Sequence, residues 1–130
     1  MNTSTVFSQS QPDTDGGFDS TRMAYLGGAS IAMERMEREA PIDAEALAAI
    51  VASDIVVVSG CYDHVERVLG ALEVPYTTVV PGSLTEVDLR PEQLLVVNCP
   101  GGLTPAEIIK VRDFVAAGGN LFTTDWALQN

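Results

Sequence analysis

Residues 94–125 read LLVVNCPGGLTPAEIIKVRDFVAAGGNLFTTD, and this stretch decides the fold. Leu94-Leu95-Val96-Val97 is a continuous apolar run, the pattern of a strand covered on both faces. Asn98-Cys99-Pro100-Gly101-Gly102 breaks it. Thr104-Pro105-Ala106-Glu107 then opens a helix: Thr caps, Pro suits the first helical position, and Glu three residues past the cap completes a capping box. Ile108, Val111 and Val115 fall on one stripe with Phe114 beside it, and Gly118-Gly119 supplies a left-handed ending. Asn120 to Thr124 reads as a further strand, with Asp125-Trp126 behind it. Strand, helix, strand in so short a span is a parallel crossover unit.

The same order recurs upstream. Ile55-Val56-Val57-Val58 is a β-branched run ended by Ser59-Gly60. Asp63 and Glu66 form a capping-box-like pair, and Val65, Val68, Leu69 and Leu72 share a helical face. Val74-Pro75 ends that helix, and Tyr76 to Val80 is rich in β-formers. Pro81 to Glu92 is a connection with room for a short helical turn. The pattern predicts an α/β fold with four parallel strands: Asp54–Gly60, Tyr76–Val80, Leu94–Asn98 and Asn120–Thr124. Right-handed crossovers put helices on both faces, giving a flavodoxin-like, doubly wound sheet of order 2-1-3-4.

Working back to the N-terminus, residues 1–20 are rich in Ser, Thr, Gln, Asp and Gly and read as a disordered tail. Residues 21–53 form a helical segment extra to the sheet. Its first helix, Thr21 to Ala40, has a loose apolar face of Met23, Leu26, Ile31, Met33 and Met36, and Pro41 stops it. Its second, Asp43 to Ala52, is capped by Asp43 and lines up Leu47, Ile50 and Val51. Residues 54–130 form the α/β domain. A flavodoxin-like sheet normally adds a fifth strand, so the expectation is a domain incomplete at its C-terminus, or an open edge that a partner covers.

Composition narrows the function. The chain has 130 residues, 18 acidic and 7 basic, for a net charge of −11. Such a surface repels nucleic-acid phosphates and anionic lipid, and suits a basic partner. Apolar residues reach 46%, enough for a core, but no run approaches a membrane span, and residues 1–20 lack the basic start and apolar stretch of a signal peptide. The 2 cysteines, Cys61 and Cys99, make no disulfide framework. They are expected to lie near each other and stay reduced, with the cytoplasm as the default location.

In an open parallel sheet, ligands bind at the carboxyl ends of the strands. Three segments belong there: Gly60-Cys61-Tyr62-Asp63-His64, Asn98-Cys99-Pro100-Gly101-Gly102, and Thr124-Asp125-Trp126. The catalytic candidates are Cys99, His64 and Asp125, which could build a Cys–His–Asp nucleophile set. The ligand-binding candidates are Cys61, Asp63, Asn98, Cys99, Gly101, Gly102, Asp125 and Trp126. A plainer reading accounts for the same residues. Free cysteines pack as small hydrophobes, Asp63 caps a helix, His64 faces solvent, and the glycines serve a tight turn. Gly101-Gly102 could cradle an anion on backbone N–H groups, but neither a Walker loop nor a dinucleotide fingerprint is present. The spacing of Cys and His fits no zinc site, and the sequence points to no metal and no cofactor.

The stretch Leu94 to Leu128 resembles the class I glutamine amidotransferase-like superfamily, especially its non-amidotransferase, trehalose-utilisation-like and uncharacterised bacterial branches. The matching pieces are the turn Asn98 to Gly102, the helix ending Phe114-Val115-Ala116-Ala117-Gly118-Gly119, and the strand Asn120 to Asp125. In active members that strand ends in a sharp elbow bearing the nucleophilic cysteine, with the histidine and glutamate later in the chain. Here Thr124-Asp125-Trp126 holds the elbow, and Cys99 lies one strand earlier. The resemblance therefore implies a non-catalytic domain binding a protein partner, a second copy or a small ligand at the strand ends. The alternatives are a hydrolase-type enzyme using Cys99 or Asp125, or a fragment of a longer enzyme. Asp125 itself reads either as a site carboxylate or as the cap of a segment beginning at Trp126.

Overall fold

The computed structural model describes residues 16–129. Helix α1 spans Gly16–Glu39 and α2 spans Pro41–Ala48. Strand β1 (Ile55–Val58), helix α3 (Val65–Ala71), strand β2 (Thr77–Val79), strand β3 (Leu94–Val97), helix α4 (Pro105–Ala116) and strand β4 (Asn120–Thr123) follow. All four strands are parallel, in the order β2-β1-β3-β4. That is the flavodoxin-like arrangement expected from the alternation of β-branched runs and helix starts. A short 3₁₀ turn at Leu84–Glu86 occupies the connection after β2.

The alternation of side chains along the strands divides the core in two. Val56 and Val58 of β1, with Leu95 and Val97 of β3, point to the α4 face and pack with Val79, Leu84, Phe114 and Ala127. Ile55, Val57 and Val96 point the other way, onto Val74 and the half-buried Leu47, Ile50, Val65 and Leu69 of the α2–α3 side. Every residue of β1 is buried, which is why its sequence is apolar throughout rather than alternating.

Several local expectations are corrected. The helix begins at Gly16, so Gly16 to Ser20 are helical rather than tail; residues 1–15 of the tail reading lie outside the described residues. Pro41 ends α1 but also opens α2 at its first position, so Ala40, not Asp43, is the cap residue. Helix α2 stops at Ala48, and Ala52–Asp54 forms a separate 3₁₀ turn. On α4 the buried apolar side chain is Phe114, while Val115 is 44% exposed. The capping box at Thr104 forms as read: the Glu107 N–H donates to Thr104 Oγ1 at 3.3 Å, and the Thr104 N–H donates to Glu107 Oε2 at 2.7 Å. Gly118 takes the left-handed conformation at φ 100°.

Glu107 does more than cap. Its side chain is fully buried, and its Oε1 also accepts from the N–H groups of Gly82 and Leu84, each at 2.8 Å. Burial pushes the carboxyl up, but backbone donors from Thr104, Leu84 and Gly82 and the Thr104 hydroxyl hold it below the usual carboxylate range. One carboxylate thus ties the β2–β3 connection to the start of α4. Lys110 adds a second tie, donating to the carbonyls of Thr85 and Val87.

Candidate functional site

The carboxyl ends of β1, β3 and β4 converge around Cys99. Pairing extends past the strands: the Asn98 N–H donates to Val58 O at 3.2 Å, and the Cys61 N–H donates to Cys99 O at 3.0 Å. The Tyr62 N–H reaches the same carbonyl at 3.4 Å. This approach requires Gly60, because a Cβ there would stand 2.3 Å from Cys99 O and 2.7 Å from Asn98 Cβ. On the other side, the Cys99 N–H donates to Thr124 Oγ1 at 2.9 Å, and the Thr124 N–H donates to Val97 O at 3.2 Å.

Side-chain alternation then sends neighbours to opposite faces. Leu94 and Val96 face α3, so Asn98 does too; Leu95 and Val97 face α4, so Cys99 turns toward the end of β4. Cys99 is buried, and its thiol lies 4.0 Å from Asp125 Oδ2. Asp125 is exposed and has a left-handed backbone, φ 39°. It belongs to the 3₁₀ turn Asp125–Gln129, whose first backbone bond runs from the Ala127 N–H to Thr124 O. Among the described residues the Asp125 carboxylate has the Cys99 thiol as its hydrogen-bond partner and receives no backbone N–H. Trp126, next to it, is 62% exposed, and Tyr62 is 77% exposed.

On the α3 face a polar chain forms. Asn98, fully buried, accepts from the Val65 N–H at 3.2 Å through Oδ1 and donates to Glu66 Oε2 at 2.7 Å through Nδ2. Glu66 Oε1 faces His64 Nδ1 at 3.0 Å. The cap of α3 therefore comes from another strand: His64 sits at the cap position without a side-chain cap bond, and Asp63 is not the cap. Gly101 and Gly102 have φ of 89° and 58°, the tight turn that leads into α4.

The predicted Cys–His–Asp set is divided. Cys99 and Asp125 meet, whereas the His64 imidazole is engaged by Glu66. Thr124, read only as part of a strand-end segment, accepts from the Cys99 N–H, and Glu66, read as the cap partner of Asp63, instead faces His64. Among the described residues no group of three His, Cys, Asp or Glu is placed to hold a metal ion, and no helix is long and apolar enough to cross a membrane. Between α1 and α3 runs a groove of about 480 Å³, lined by residues such as Ala24, Gly28, Ala32 and Leu72.

The two cysteines are neighbours by main chain, as expected, and both are free. Cys99 is buried under the strand ends, whereas Cys61 is exposed in the loop after β1. A disulfide needs Cβ atoms that point toward each other. Thiol titration of the native protein without reductant should therefore find two free thiols, and a count of none would overturn this placement.

No family model, curated protein or solved structure matches the chain.

Proposed function

We propose that the chain is a non-catalytic, amidotransferase-like α/β domain that binds a cationic group, carried by a protein partner or small ligand, at the carboxyl ends of β1, β3 and β4. Asp125 carries this reading. Its left-handed backbone at φ 39° is a conformation that costs a residue other than glycine about 1–3 kcal/mol, and such strain clusters at ligand sites. The turn presents an exposed carboxylate at the strand ends, beside the exposed indole of Trp126. Aromatic faces attract cations, as does the net charge of −11. Asp125 stands where the resembling family carries its nucleophilic cysteine at a sharp elbow. Binding is favoured over bond-making because the Cys99 thiol faces a carboxylate and the imidazole that could act as its base is held by Glu66.

The test is Asp125→Asn. Asparagine tolerates the left-handed region and keeps the shape, so the thermal midpoint should stay at the wild-type value. Affinity for an arginine-rich peptide, read by fluorescence anisotropy at physiological salt, should fall about tenfold, the loss of one charge-assisted contact. An Asn variant that binds as tightly as wild type refutes the proposal.

A further inference from the structure

We infer that Asn98 and Glu66 are positioning residues that lock His64 into one tautomer, and that His64 Nε2 is the hydrogen-bond acceptor of the strand-end site, matched to the N–H of a guanidinium or ammonium group. This rests on the cation-binding reading above and adds its recognition atom.

The direction of the chain follows from its fixed end. A backbone N–H can only donate, so the Asn98 atom that meets the Val65 N–H is the carbonyl oxygen. The amide NH₂ therefore faces Glu66 and donates to Oε2 at 2.7 Å. The other Glu66 oxygen, as part of a carboxylate, accepts. It does so from His64 Nδ1 at 3.0 Å, which must carry the proton. In the neutral ring Nε2 is then bare and can only accept.

Three features suit this atom to a ligand. The anchoring amide of Asn98 is fully buried, so it cannot swing to water without breaking two bonds. The His64 side chain is 29% exposed, enough for a partner to reach it. Among the described residues Nε2 has no hydrogen-bond partner, and neither has the carboxylate of the adjacent Asp63. A bare acceptor nitrogen takes an N–H donor, and the net charge of −11 favours a donor that is also positive. A backbone cap alone would need only Asn98 and Val65; Glu66 and His64 extend it outward.

The chain has 1 histidine, so long-range ¹H–¹⁵N correlation of the imidazole needs no assignment. Under conditions where the ring is neutral, the wild-type protein should show the Nδ1–H tautomer with an unprotonated Nε2. Glu66→Leu should return the ring to the tautomer mixture of a free imidazole. Adding the arginine-rich peptide should move the Nε2 resonance, while an acidic peptide of equal length should not. His64→Phe should weaken peptide binding about fivefold with an unchanged melt. An Nε2–H or mixed tautomer in the wild-type protein overturns the inference even if Glu66→Leu fails to fold. Peptide binding that leaves Nε2 unmoved also overturns it, while the site reading stands. If anisotropy shows no peptide binding at all, both fall together.

Discussion

Replacing Glu107 by alanine should lower stability by on the order of 3 kcal/mol, because the N–H groups of Gly82, Leu84 and Thr104 then face a void without an acceptor. For a chain of this size the melting midpoint should drop by roughly 10 °C. Chemical denaturation checks it, and a loss below about 1 kcal/mol would show that water replaces the carboxylate without penalty. The same group makes the fold acid-sensitive. The folded carboxyl ionises below its ordinary value of 4.5. Its contribution is therefore fully present above that value and is lost as pH falls through the lower, folded value. Glu107→Gln, which cannot ionise, should show a flatter stability curve in that acid window than wild type.

The second large effect is expected at Gly60. Its missing side chain lets the loop after β1 lie against the Cys99 carbonyl, where an alanine Cβ would meet backbone oxygen at 2.3 Å. Backbone cannot rotate away as a side chain can, so Gly60→Ala must part the β1 and β3 ends. Overpacking of this kind costs about 1–3 kcal/mol, occasionally more. Because Cys61, Tyr62 and the Asn98–Glu66 bond all depend on that seam, the variant should also lose the His64 tautomer preference. A folded Ala variant with wild-type stability and peptide affinity would show that the seam is not needed.

These two residues mark where sequence reading succeeds and stops. The strands were readable because burial on both faces leaves no room for polar alternation at Ile55–Val58, and because Thr104, Pro105, Glu107 and Gly118 each obey a local rule. Local rules also explain the errors. Asp63 and Glu66 have the spacing of a cap pair, yet Asn98, a residue from another strand, takes the cap and frees Glu66 to hold His64. The second grip of Glu107, on Gly82 and Leu84, spans more than twenty positions and has no sequence spacing to announce it. Topology brings the cysteine, aspartate and histidine to the carboxyl ends of the strands. Which of them touch depends on the strand faces: odd positions of β3 turn to the α4 face and even ones to the α3 face.

Strand β4 has a consequence in solution. It lies at the border of the sheet, and its side chains Leu121 and Phe122, on opposite faces, are 40% and 51% exposed. Native border strands usually discourage stacking with lysine, proline or a bulge, and Asn120-Leu121-Phe122-Thr123 has none of these. What stands guard instead is the acidity of the whole molecule. Mutual repulsion between copies of charge −11 acts over the Debye length, which shrinks from about 30 Å at 0.01 M salt to about 8 Å at physiological strength. Repulsion between copies is thereby tied to ionic strength: it reaches far in dilute buffer and is short-ranged in brine.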